Sequence, residues 1–191
     1  MNPVPEATTA PLHRILTADN VDDALQSYIR SVASVGDCIR GLSGIQLLEA
    51  LKRGKVGCGP YPNVALFEAA NRIMTDLVIL SGIRWVLCNE VFPFASYRVE
   101  YGHEDYNGHD LTAQAHGQQL IGEAFNVAPS FFPQKAAALR KLRASPIRAQ
   151  YRVILCNSLA VRDGYVPQPQ TNEYFVFVDP ESDRGRIVGA A

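Results

Sequence analysis

The stretch HDLTAQAHGQQLIGEAFNVA, residues 109–128, decides how the chain is to be folded. It holds two runs of extended character, HDLTAQA and QQLIGEAFNV, separated by His116 and Gly117. Glycine at the second central position suits a two-residue hairpin turn, because the backbone there needs a positive φ that glycine adopts without steric cost. Such a turn opposes Ala115 to Gln118, and counting outward sets Asp110 against Glu123. Opposed side chains of antiparallel strands share a face, with Cβ atoms about 4.5–5.5 Å apart. Two carboxylates so placed repel each other, so the pair calls for a cation, a shared proton or an arginine.

Strands surround this hairpin. IRWVLC and SYRVEYG, on either side of a proline-containing loop, are rich in β-branched and aromatic residues and read as extended segments beginning after Gly82. A helix is expected near Ser130 to Arg143, then the apolar strand YRVILCNSL, with NEYFVFVD as a last strand. Upstream, Val21, Leu25, Tyr28, Ile29 and Val32 fall at helical spacing in a helix from about Thr17 to Ala33. Ser43 to Arg53 forms a shorter helix with Ser43 as N-cap and Gly54 to end it. After the loop KVGCGPYPN comes the most apolar helix, Asn63 to about Leu80. Its polar residues Glu68, Asn71, Arg72 and Thr75 lie on one stripe. That stripe reads either as a solvated edge with a Glu68–Arg72 pair or as a face turned toward a site. Together these elements predict an α/β protein with a mixed central sheet flanked by helices.

At 191 residues and 47% apolar composition, the chain is long enough for one domain with a sizeable core. We expect a loose arm over 1–16, a helical extension over 17–60 and the core over 61–191. No run approaches the 18 apolar residues of a membrane span, and the first dozen residues lack the apolar stretch of a signal peptide, so a cytoplasmic location is expected. Cys38, Cys58, Cys88 and Cys156 form no C-x-x-C pair and read as buried free thiols.

The formal net charge of −1 conceals an uneven distribution. Between Ala124 and Arg162 there is no Asp or Glu, while Lys135, Arg140, Lys141, Arg143, Arg148, Arg152 and Arg162 are all positive. Glu100, Glu104, Asp105 and Asp110, by contrast, crowd together with no Lys or Arg between them. A basic surface beside an acidic pocket suits phosphate-backbone binding with metal chemistry; a mixed, solvated surface is the plainer alternative. Mg²⁺ is the economical partner of two opposed acids, since it is held by one or two carboxylates, water and phosphate oxygens. Mn²⁺ would serve in its place. The tract YGHEDYNGHD adds His103, Glu104, Asp105 and His109 as potential ligands, although its glycines also suit an exposed loop. His109, beside Asp110, is a candidate auxiliary proton carrier.

An Asp at the start of one strand, a turn, an apolar strand ending G-E-A-F-N-V, a basic helix and another apolar strand resemble the PD-(D/E)XK nuclease superfamily. The resemblance covers roughly residues 64–160 and implies the restriction-endonuclease-like core, with the preceding helices as an N-terminal extension. It implies a DNA endonuclease in which Asp110, Glu123 and the carbonyl of Ala124 bind the metal, with Glu68 as an additional acid. The family's lysine would fall at position 125, where this chain has Phe125 followed by the neutral Asn126. Phenylalanine can neither orient the attacking water nor offset phosphate charge. Lys135, early in the following helix, is the candidate replacement. Lys135, Arg140, Lys141, Arg143 and Arg148, with Arg152, would contact DNA phosphates. The helices over 17–53 offer a surface for a homodimer. The alternative is an inactive module of the same fold that binds nucleic acid or a protein partner.

Overall fold

A computed structural model of the chain describes residues 13–55, 57–102, 106, 108–127, 129–130, 136–162, 165–182 and 184–189, with 136–138 as backbone only. The expected arm (apart from residues 13–16), His103, Glu104, Asp105 and Lys135 therefore lie outside the described residues.

Among the described residues, seven strands form one sheet in chain order: β1 (Ile15–Thr17), β2 (Ser96–Val99), β3 (Leu111–Ala115), β4 (Gln118–Phe125), β5 (Tyr151–Asn157), β6 (Glu173–Val178) and β7 (Gly185–Gly189). Neighbours are antiparallel except β4–β5 and β5–β6, which are parallel, so the sheet is mixed. Parallel neighbours cannot be joined by a tight turn. Residues 126–150, which include α4 (Ala136–Ala144), make the first crossover, and residues 158–172 make the second. Three helices precede the meander: α1 (Val21–Ile39), α2 (Gly44–Lys52) and α3 (Leu66–Cys88).

Strand alternation divides the core into two layers. Leu111, Ala113, Leu120, Ala124, Val153, Leu155, Val176 and Val178 face α1 and α3, meeting Leu25, Ile79 and Ile83. Ile121, Phe125, Ile154, Cys156, Phe175 and Phe177 face the other way and pack around Leu142 of α4. The α/β organisation matches the sequence expectation, and no helix among the described residues is long and apolar enough to cross a membrane.

Three expectations change. IRWVLC is the last part of α3 and not a strand. Gly82 does not stop the helix; it lets α3 approach β5 so closely that a Cβ there would collide with Leu155. β1 and β7 were not expected: one is a three-residue edge with only Leu16 buried, the other a short edge rich in glycine. Finally, Cys38 and Cys58 pair as a disulfide with Cα atoms 6.5 Å apart, where buried free thiols were expected; Cys156 is free and buried, whereas Cys88 is free but exposed. The missed pairing has a simple reason. The loop that follows α2 brings Cys58 back beside the end of α1, a contact that no local spacing announces.

Candidate functional site

The hairpin forms as its turn chemistry requires. His116 and Gly117 both have positive φ, 50° and 76°, the two-residue turn whose twist matches its flanking strands. The ladder runs from Ala115↔Gln118 to Leu111↔Gly122, so its next step opposes Asp110 to Glu123. The Ala124 N–H donates to Asp110 Oδ2 at 2.7 Å, which pins the Asp110 carboxylate at that step. In a strand the N–H and C=O of one residue point to the same neighbour, so the Ala124 carbonyl also faces the Asp110 side of β4.

The β2–β3 ladder extends the same way: Arg98 pairs with Thr112, Val99 with Leu111, and the Glu100 N–H donates to the Asp110 carbonyl at 2.9 Å. Glu100, Asp110 and Glu123 therefore form one row across three adjacent strands on the face that β4 turns toward α4. Glu100 and Glu123 are buried, at 5% and 7% exposure. Burial pushes the Asp110 carboxyl up to about 6; the Ala124 N–H opposes that shift, the charges of Glu123 and Glu100 add to it, and Lys141 works against it. A cation at this row would relieve the repulsion that three neighbouring carboxylates impose.

His109, also buried, ties the row to α4. Its Nδ1 lies 2.8 Å from Glu123 Oε1 and its Nε2 lies 3.2 Å from Ser145 Oγ, just past the end of α4. A carboxylate only accepts, so opposite an ionised Glu123 it is the His109 Nδ1 that carries hydrogen and donates. The order hydroxyl, imidazole, carboxylate is one in which a histidine can take a hydroxyl proton. Ser145, His109 and Lys141 line a cleft of about 440 Å³ with Gly108, Pro146 and Ile147.

Of the residues singled out from sequence, Asp110, Glu123 and Ala124 are brought together, with Lys141 among the groups that act on Asp110. Glu68 is not with them. It pairs with Arg72 on α3, which covers the opposite face of the sheet. Phe125, where the resemblance would have placed a lysine, is 3% exposed in the core beneath α4. Asn126 accepts from Asn157 Nδ2 at 3.0 Å.

Among the basic residues, Arg140, Lys141, Arg143, Arg148 and Arg162 are exposed. Arg143 is engaged twice by the buried Glu173, at 2.6 and 2.9 Å. Burial works to raise the Glu173 carboxyl, but the Arg143 hydrogen bond, the Gln170 N–H and the neighbouring arginine charges outweigh it and hold it below its ordinary value. Arg152 donates to the carbonyls of Ala149 and Ile147 and so braces the turn into β5.

Sequence reasoning missed Glu100 and Ser145. Glu100 was visible as one of a cluster of acids, but its place in the row needs the β2–β3 register. Ser145 carries no local signal, since it meets His109 across 36 residues of chain. Among the described residues, no group of three His, Cys, Asp or Glu side chains is placed to hold a metal ion. The donors at hand are two opposed carboxylates, each with one oxygen already engaged, Asp110 by the Ala124 N–H and Glu123 by His109 Nδ1, a set that would leave an ion most of its water. No protein-family model and no curated protein matches the chain.

Proposed function

We propose that the chain is a metal-dependent DNA endonuclease with a restriction-endonuclease-like core. The observation that carries this reading is the opposition of Asp110 and Glu123 on neighbouring strands, with the Ala124 backbone turned toward Asp110. The order α3, β2–β3–β4 meander, α4 and β5, with β5 parallel to β4, supports it.

Asp110, Glu123 and the Ala124 carbonyl would hold Mg²⁺ or Mn²⁺. A bound ion of this kind lowers the pKa of a water and stabilises charge on a phosphate. The remaining work belongs to the chain. His109 holds the Glu123 carboxylate in one orientation through Nδ1. Lys141, at the mouth of the cleft, supplies the positive charge that Phe125 does not. Arg140 and Arg148 add exposed charge for backbone phosphates, whereas Arg143 and Arg152 serve the fold.

Cleavage of plasmid and single-stranded DNA in Mg²⁺ or Mn²⁺, with and without chelator, tests the reading. The expected result is chelator-sensitive cleavage in the native chain, lost in Glu123→Gln and Asp110→Asn. Cleavage that survives both substitutions would sink it. A second reading, an inactive module that only binds, is favoured by the burial of Phe125 where the family carries lysine. Binding without cleavage on any substrate would select it.

A further inference from the structure

Among the described residues, the sheet face that carries Glu123 is covered unevenly. α4 packs on β4 and β5, with Leu142 against the layer of Ile121, Phe125 and Ile154. The same face of β1, β2, β3 and the start of β4 forms a groove of about 390 Å³. Register sorts its lining into rows: Arg98, Thr112 and Ile121 in one, Ser96, Gln114 and Gln119 in the next. Two residues along each strand in the other direction, about 7 Å away, stands the acid row of Glu100, Asp110 and Glu123. Ile147 lines both this groove and the cleft over His109, Lys141 and Ser145, so the two are neighbours on either side of that residue.

We propose that this groove seats unpaired nucleotides beside the acid row, making single-stranded DNA the preferred substrate; the proposal rests on the nuclease reading. Among the described residues that line the groove there is no carboxylate, and Arg98 offers it positive charge. Gln114, Gln119, Thr112 and Ser96 present donors and acceptors together, the chemistry that reads the edge of an unpaired base. Ile15, at 58% exposure, and Ile147 add apolar surface for base faces. A duplex keeps its base faces stacked and its Watson–Crick edges paired, so the apolar surface of Ile15 and Ile147 beside these amides can meet a base face only when the strand is unpaired.

The test is fluorescence anisotropy in chelator, so that nothing is cut. A labelled single-stranded oligodeoxynucleotide is compared with the same sequence as a duplex. The expected result is single-strand binding about tenfold tighter than duplex binding. Replacing Gln114 and Gln119 together by Ala should remove that advantage and leave duplex affinity and thermal unfolding unchanged. Both side chains are solvent-accessible, so the fold should tolerate their loss. Equal affinities, an undiminished advantage in the double variant, or no binding would overturn the proposal. A native dimer that the double variant disperses would assign the face to a second copy and overturn it too. Because binding is read without metal, the two readings fail separately. A single-strand advantage without any cleavage in Mg²⁺ leaves the groove standing and removes the nuclease. Chelator-sensitive cleavage that the double variant leaves unaltered on single strands does the reverse.

Discussion

The Nδ1 of His109 stands 2.8 Å from the Oε1 of Glu123, and the two side chains bury each other at one end of the sheet. Removing either leaves the other desolvated without its partner, which costs about 1–3 kcal/mol. His109→Ala and Glu123→Ala should each lower stability by that amount in urea unfolding. The double variant should lose less than the sum, because the orphaned group is gone. Additive losses would show that the contact contributes nothing.

Lys141 is expected to matter for chemistry and not for folding. It is exposed on α4, and its charge acts on Asp110. Lys141→Ala should reduce cleavage by about 10²-fold or more, the size seen when one group stabilising developing charge is removed. Thermal unfolding should stay within about 0.5 kcal/mol of native. Ser145→Ala, in contrast, should keep cleavage, since in a metal-dependent reaction its hydroxyl is not the nucleophile. Loss of cleavage in Ser145→Ala with the fold intact would point instead to the hydroxyl–imidazole–carboxylate chain.

Arg143 and Arg148 should separate cleanly in DNA binding. Arg143→Ala leaves the buried Glu173 without its bidentate partner and should destabilise the chain by about 1.5–3 kcal/mol. Its salt dependence of DNA binding should match native. Arg148→Ala should leave stability unchanged and reduce the slope of log affinity against log salt by about one.

Asp76, fully buried on α3, makes stability depend on pH. It accepts from Tyr28 Oη at 2.5 Å, from the Tyr61 hydroxyl, and from the Gly102 N–H at 3.1 Å. Burial pushes its carboxyl up to about 6 against these hydrogen bonds and the Arg72 charge. A carboxyl whose folded pKa is raised binds its proton more tightly folded than unfolded. Stability from this group is therefore greatest below the unfolded value of 3.8, falls as pH rises to about 6, and is level above. The fall amounts to about 3 kcal/mol. Asp76→Asn should flatten that part of the stability–pH curve measured by denaturant unfolding.

Gly82→Ala tests the close approach of α3 to β5. Alanine is the better helix former by about 1 kcal/mol. Its Cβ would nevertheless meet Leu155, so a net loss of up to about 2 kcal/mol is expected in thermal unfolding. A gain in stability would mean that Leu155 can move aside.

What the sequence revealed depended on how local the governing contacts are. The Asp110–Glu123 opposition was legible because two turn residues set the register and a period of two set the face. The end of α3 was not, because Ile83, Trp85 and Val86 favour strands in isolation, and the packing of Gly82 on Leu155 became visible only in three dimensions. Arg143 looked like a phosphate ligand until Glu173, thirty residues on, was found to hold it. The short edges β1 and β7 carry too few alternating residues for a pattern to register.

β4 is antiparallel to β3 on one side and parallel to β5 on the other, so it is also a seam between two kinds of folding event. The β2–β3–β4 half closes through short chain segments, whereas β5 and β6 join only after residues 126–150 and 158–172 have been looped back. Loop closure slows the second step. Asp110 and Glu123 come together within the local half, so their opposition is expected before the parallel strands dock. Substitutions at Ile121 should then retard refolding more than equal losses of stability at Val176, a difference that φ-values would measure.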